Sequence, residues 1–289
     1  MKVSKSKSLL IVLVGYALAF LAARIYFMFA TGDLYLDVLL ADISATVVIF
    51  IFSVALKNSS MYDPFWSVAP PIIAVYLMGY FTDGNDVRSY FVLAGTMFWG
   101  IRLTVNWIRS WPGLHHEDFR YEELAEQSGK WYWLVSFSGI HLFPTLIVYL
   151  GCLPMFFAFN MGGPIGIWDY LGLAITILGT VIELVADEQM RVFKKTAPKG
   201  SIMTSGLWRY SRHPNYFGEI TFWFGLWLFM IPDSGLWWTA IGWIAMVILF
   251  VFASVPMMDR RSLKNKPGYE EHMKNSTALF PSLKKLFAK

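Results

Sequence analysis

Along the 289 residues, apolar positions gather in long runs and polar ones in short stretches between them. A helix needs about 20 mostly apolar residues to cross the hydrocarbon core of a bilayer. Eight runs approach that length: 8–30, 37–56, 66–81, 89–108, 132–159, 168–186, 216–231 and 237–257. The third and seventh are short, as helices that tilt into neighbours or span only in part would be. The pattern predicts an all-α fold, a polytopic membrane helix bundle of seven or eight transmembrane helices that forms a single integral membrane domain over residues 1–289. Lys2, Lys5 and Lys7 precede the first run, as in the charged region of a signal peptide. That run is roughly twice the length of a signal core and no small-residue cleavage site closes it, so it reads as a retained helix.

Composition agrees with this class. With 56% hydrophobic and 15% charged residues the chain is far from a soluble composition, and a bilayer is its natural solvent. Thirteen Trp, 14 Tyr and 24 Phe suit helix ends set among lipid headgroups. Cys152, the single cysteine, cannot form an intramolecular disulfide and reads as packing in an apolar run. Charge then sets the orientation. With eight spans both ends lie on one side, and 21 of the 24 Lys and Arg residues fall on that side; Arg88 occupies an opposite loop, and Arg24 and Arg102 lie inside spans. The positive-inside rule makes the N-terminus, the C-terminus and the two long loops cytoplasmic, in a bacterial inner membrane or an ER-type membrane. No internal repeat or soluble domain is visible, so function is expected in the cytoplasmic half of the bundle, with the lipid bilayer as partner and no nucleic acid.

Ionisable side chains in spans are costly and face a cavity or a partner rather than lipid. Arg102, Asn106 and Arg109 recur at i, i+4 and i+7, which puts them on one face near the cytoplasmic end of the fourth run. Glu183, Asp187, Arg191 and Lys194 repeat the arrangement in the sixth. Before the seventh stands Gly-Leu-Trp-Arg-Tyr-Ser-Arg-His-Pro-Asn-Tyr-Phe-Gly-Glu at 206–219. There Pro214 suits a first helical turn, where its missing N–H is not needed, and Asn215, Glu219 and Trp223 follow on one face. Each stripe alone reads as interhelical hydrogen bonding, or as basic side chains snorkelling to headgroups. Three together, beside a basic loop that carries Arg209 and Arg212, fit a polyanionic ligand that enters from the cytoplasm with its phosphates held by Arg and Lys.

The 206–219 segment, followed by Trp-Phe-Gly-Leu-Trp-Leu at 223–228, resembles the C-terminal domain of the steroid 5α-reductase family. A closer likeness is to the bacterial membrane proteins known by the domain label DUF1295. It runs through Asp63-Pro-Phe-Trp-Ser, Glu117-Asp-Phe-Arg-Tyr, residues 183–193, and Lys266-Pro-Gly-Tyr-Glu-Glu-His-Met-Lys with Phe280-Pro, so the resemblance covers residues 60–285. The reductases are multi-pass enzymes that bind NADPH inside the helix bundle and reduce a carbon–carbon double bond conjugated to a ketone. The resemblance implies NADPH-dependent reduction of a lipophilic enone or steroid-like small molecule. It places Asp187, Arg212, Asn215 and Tyr216 at the nucleotide, and Arg260, Arg261 and Tyr269 over its phosphates. Arg102, Asn106, Arg209, His213 and Glu219 would complete the cofactor site. No Gly-x-Gly-x-x-Gly follows a strand, so a dinucleotide would bind without a Rossmann domain.

The chemistry needs a donor that polarises the substrate carbonyl while hydride arrives at the β-carbon. In the reductases an acidic residue and a tyrosine in the N-terminal half supply it; here the acidic role falls to Asp63, and Trp99 stands where the tyrosine is expected. Indole gives a hydrogen bond but no useful proton, which argues against a 3-ketosteroid and makes Tyr62 the substitute. Asp63 has a second reading, as the cap of a helix beginning at Pro64. The main alternative is an S-adenosylmethionine-dependent membrane methyltransferase of the isoprenylcysteine carboxyl methyltransferase type, which shares an Arg-His-Pro-x-Tyr-x-Gly segment. That family adds a pair of glutamates after its last long span, where this chain has Met258-Asp-Arg-Arg. A metal centre is disfavoured: His115, His116 and Glu117 read as loop residues, and His141, His213 and His272 form no His-x-x-His boxes. A transporter or scaffold is the third class, but no paired inverted halves are visible.

Overall fold

The computed structural model of the chain describes residues 4–81 and 87–282; Lys2, Lys284, Lys285 and Lys289, which enter the charge argument, lie outside them. The described residues form helices and connecting turns, without a strand among them. Six stretches are long and apolar enough to cross a membrane: Lys5–Phe29, Leu34–Leu56, Val87–Ser110, Phe119–Ala158, Ile167–Thr196 and Ser234–Asn265. The chain is a multi-pass membrane protein. The short third and seventh runs become helices of 16 and 15 residues, below the ~20 that span a bilayer.

Two compact units divide the chain. The first is Met1–Tyr80 with Gly100–Cys152; the second is Phe81–Trp99 with Leu153–Lys289. Unit 1 begins with α1 (Lys5–Tyr26) and α2 (Leu34–Leu56), which pack on each other. Asp37, in the first turn of α2, holds the tight connection between them. Its carboxylate accepts from the backbone N–H groups of Thr31 (2.7 Å) and Gly32 (3.0 Å) and from the hydroxyls of Thr31 and Tyr26 (3.0 Å each). Next come α3 (Phe65–Tyr80), which carries Pro70 and Pro71, and the second half of α4 (Val87–Ser110). The unit closes with α5 (Phe119–Ser128), α6 (Tyr132–Val135), a π-helical stretch at Ser136–Leu142 and most of α7 (Phe143–Ala158). On α1, Leu10, Leu13, Phe20 and Leu21 stand half exposed or more, an apolar outer surface suited to acyl chains.

Unit 2 is built on α8 (Ile167–Thr196) and α9 (Pro214–Leu228). Glycine lets their backbones meet. A Cβ on Gly179 would lie 2.5 Å from the backbone nitrogen of Phe222 and 2.7 Å from the carbonyl oxygen of Gly218, so no larger residue fits without moving a helix. Arg88, at the start of α4, is buried against the start of α8. Its guanidinium donates to both carboxylate oxygens of Asp169 (2.6 and 3.3 Å) and to the Met161 carbonyl (2.7 Å). Then follow α10 (Ala240–Leu249), a second π-helical stretch at Phe250–Ser254, α11 (Val255–Asn265) and α12 (Tyr269–Lys274).

Candidate functional site

In unit 2 the segment before α9 is pinned from two directions. On the α8 side, the Trp208 indole donates to the Ala186 carbonyl (3.0 Å) and the Leu207 N–H to Gln189 Oε1 (2.9 Å). On the other side lies the tail: the Arg212 N–H donates to the Thr277 carbonyl (3.0 Å), the Ser211 hydroxyl to the Leu279 carbonyl (2.8 Å) and the Ser282 N–H to the Tyr210 carbonyl (2.9 Å). Helix α9 then starts at Pro214, the first-turn position read from the sequence, with His213 before it.

Arg212, His213 and Tyr269, all expected at a nucleotide, converge on Asp259. The Arg212 guanidinium donates to both carboxylate oxygens (3.3 and 2.8 Å), the Tyr269 hydroxyl donates to Oδ1 at 2.7 Å, and His213 Nε2 lies 3.1 Å from the same oxygen. A further Arg212 nitrogen donates to the Ser276 carbonyl at 2.7 Å. Burial and the adjacent Asp259 carboxylate push the Tyr269 phenol well above its ordinary range. The Asp259 hub therefore fixes the mouth of α9 and ties it to the tail. Arg212 meets a carboxylate there, so any phosphate contact falls to other cations.

Around the hub, Tyr216 lies between the His213 ring (5.3 Å, nearly parallel) and Phe250 (4.8 Å), the first residue of the second π-helical stretch. Asn215 and Tyr216 are half-buried, and the Asn215 Oδ1 atom is fully covered with no hydrogen-bond donor among the described residues. Asp187 is half-buried, whereas Arg209 and Arg260 are exposed and Arg261 is half-buried. Arg191 is paired with Glu188, and the exposed Lys194 continues the α8 stripe. Lys266 packs over the Tyr269 ring at 5.4 Å. Burial, and then the like charge of Lys194, hold its ammonium below the ordinary lysine range.

Deeper in unit 2, Glu219 and Trp99 meet. The Trp99 indole donates to Glu219 Oε2 (3.0 Å) and the Trp223 indole to Oε1 (2.8 Å), while Trp99 stacks on Phe222 with ring centroids 4.5 Å apart. Trp99 is fully buried, so the position expected to face substrate is a packed one that holds a carboxylate.

Unit 1 holds the remaining candidates. Asp63 precedes α3, and the Tyr121 hydroxyl donates to its Oδ1 at 2.6 Å, which assigns that carboxyl to Tyr121 rather than to capping the helix. Asp118 caps α5 and pairs with Arg120 (2.7 Å). Burial raises Asp63 from 3.8 to about 6, against the opposing pull of Arg120 and the Tyr121 hydrogen bond. Tyr62, the expected substitute tyrosine, turns instead to the Thr145 hydroxyl (2.8 Å). Arg102 is buried and Asn106 half-buried in the second half of α4. Tyr121 pairs with Asp63 from 58 residues away, and Arg212 and His213 lie 47 and 46 residues from Asp259, so neither pairing has a local signal in the sequence.

The family described as "Protein of unknown function (DUF1295)" matches residues 49–277. An uncharacterised protein of Schizosaccharomyces pombe is 28% identical over 259 residues, covering 80% of this chain and 75% of that one. No solved structure matches.

Proposed function

Because this chain belongs to the DUF1295 family, whose description states no activity, we propose its function from the site itself: an NADPH-dependent membrane reductase that adds hydride and a proton across a carbon–carbon double bond conjugated to a carbonyl in a lipophilic substrate. The observation that carries this reading is Asn215. Its amide oxygen is covered and lacks a donor, a state that costs about 1–3 kcal/mol and that a ligand bearing an amide or amine N–H relieves. It stands in the first turn of the 15-residue helix α9, whose leading N–H groups have no partner inside the helix and attract anions. The like charges of Lys194 and Lys266 add a cationic patch in the same unit, and a phosphate would remove their repulsion. An amide or amine group joined to phosphates is the chemistry of a dinucleotide.

NADPH, when bound, supplies the hydride. Asn215, Lys194 and Lys266 would bind and orient it, and the Asp259 hub would hold the mouth of α9 in shape. In unit 1, Asp63 has the property an acid in such a reduction needs: with its carboxyl raised to about 6, a protonated fraction persists close to neutral pH. Tyr121, hydrogen-bonded to Asp63, orients that group. The weight of Lys and Arg at the end of α8, between α8 and α9 and on the tail supports a nucleotide end that faces the cytoplasm.

Mass spectrometry of the protein extracted in mild detergent tests the reading. NADP(H) should co-purify, and Asn215→Leu and Lys266→Gln should each weaken its binding about tenfold while the hub stays intact. An S-adenosyl compound in its place would replace reduction by methyl transfer. Neither compound, together with no thermal shift on adding either one, would overturn the proposal.

A further inference from the structure

Unit 1 contains a carboxyl that the nucleotide reading does not use. Asp42 lies eight residues into α2, roughly 12 Å along the helix from Leu34 at 1.5 Å per residue. It is 7% exposed, its Oδ2 atom is fully covered, and among the described residues its side chain has no hydrogen bond and no ion pair. Its neighbours on the same helix face do have partners. Thr46 Oγ1 lies 2.9 Å from Thr145 Oγ1, and Ser53 Oγ lies 3.0 Å from His141 Nε2, so a polar seam joins α2 to the stretch that leads into α7. Those two pairs are ordinary interhelical fastenings. Asp42 shares their face and fastens nothing.

An ionised carboxylate left unpaired in a bilayer-spanning helix costs several kcal/mol or more, and the usual escape is to take up a proton. The titratable side chains within electrostatic reach of Asp42 are Tyr62 from the loop before α3 and Tyr149 and Cys152 from α7, all of which are uncharged in their ordinary protonated forms. On α2 itself the nearest acid, Asp37, is held by Tyr26, Thr31 and Gly32. Among the described residues no cation pairs with Asp42, and a proton would offset its charge.

The seam begins one helical turn along α2 from Asp42. Tyr62, Thr145 and Thr46 form a chain of hydroxyls with steps of 2.8 and 2.9 Å. Two of them have a second acceptor in reach: the Asp42 carbonyl is 2.9 Å from Thr46 Oγ1, and the His141 carbonyl is 2.9 Å from Thr145 Oγ1. Beside the chain, His141 sits in the Ser136–Leu142 π-helical stretch, a distortion found often at functional sites. Its Nδ1 lies 2.9 Å from the Ser136 carbonyl, and that acceptor fixes the proton on Nδ1 and leaves Nε2 to accept from Ser53.

We propose that Asp42 is a proton-binding site in the membrane-embedded part of unit 1. Loading takes one proton from the aqueous phase and converts a carboxylate of charge −1 to a neutral acid; unloading returns it. The site stands whether or not a nucleotide binds in unit 2, and its test uses no cofactor. Infrared difference spectra of the full chain in lipid nanodiscs should show a carboxylic-acid carbonyl band that shifts in heavy water and fades as pH rises. Asp42→Asn should lose the band and Asp42→Glu should keep it at a shifted frequency. Identical carboxyl bands in the wild type and in Asp42→Asn would overturn the proposal, as would a band assigned to Asp42 that pH never moves. Where Asp42→Asn fails to fold, the frequency shift in Asp42→Glu decides the assignment.

Discussion

Two sets of acids, one in each unit, are handled in opposite ways. Three buried acids of unit 2 are saturated by donors. Asp169 accepts from Arg88 and from the Gly166 N–H (2.7 Å), Asp259 from Arg212 and Tyr269 with His213 alongside, and Glu219 from two indoles. In unit 1, half-buried Asp63 accepts from the Tyr121 phenol, and among the described residues nothing donates to the Asp42 carboxyl. Asp37 is the instructive exception: it lies at a helix end, where free backbone N–H groups are at hand to saturate it. A carboxylate whose lone pairs all meet donors is held in its charged form and acts as a fastener. One short of donors is costly as a charge and cheap as a neutral acid, so its protonation can change under working conditions.

The largest effect should come from undoing a saturated pair. Asp169→Ala would leave the Arg88 guanidinium buried without its carboxylate, a loss of about 3–5 kcal/mol of unfolding stability measured by denaturation in detergent. Replacing both residues together, Arg88→Met with Asp169→Leu, should return much of that loss, because no unpaired charge then remains and the Gly166 N–H is the donor left over. A tolerated Asp169→Ala would break the comparison at its strongest point.

The two kinds of acid also differ in how far the sequence reveals them. The helices themselves are legible, since long apolar runs and a Pro at a first turn are local signals, and α9 begins at Pro214 as read. Saturation is a long-range property. Arg88 reads as a stray cation in an outer loop because its partner is 81 residues away, and Trp99 reads as a substrate-facing residue because Glu219, 120 residues away, is what its indole meets. The same holds for Asp63, whose tyrosine is at 121 and not at 62 or near 99. Asp42 had a local signal that went unused: one carboxyl eight residues into the apolar run of α2 is enough, by cost alone, to mark a functional candidate. What no local signal could supply is that the carboxyl lacks a partner, because that depends on which side chains of α7 come opposite.

Asp63 sharpens the comparison through pH. Burial raises its carboxyl from 3.8 to about 6, so between those values the folded chain holds a proton that the unfolded chain has released. Its contribution is fully present below about pH 4 and is lost as pH climbs through about 6. Asp63→Asn imitates the protonated acid at every pH and lacks this slope. The variant should match the wild type near pH 4 and exceed it by about 2 kcal/mol above pH 6, as read from unfolding midpoints across the window. Parallel stability profiles for the two proteins would show that Asp63 is a fastener like the acids of unit 2. In turnover assays the same substitution should lower the rate at least tenfold, since the amide cannot give up a proton.

The smallest effect on stability should come from the acid with the fewest partners. Removing Asp42 orphans no other group among the described residues, because none donates to its side chain. Asp42→Leu keeps the side-chain volume close to the original while it abolishes the cost of an unsatisfied carboxyl, so the variant should unfold within about 1 kcal/mol of the wild type, and on the stable side of it. The contrast with Asp169→Ala is the point of the measurement: two buried aspartates in one membrane protein, one costly to lose and the other costly to keep. A loss of about 3 kcal/mol or more in Asp42→Leu would mean that the α2 carboxyl has a partner of its own and belongs with the fastening acids.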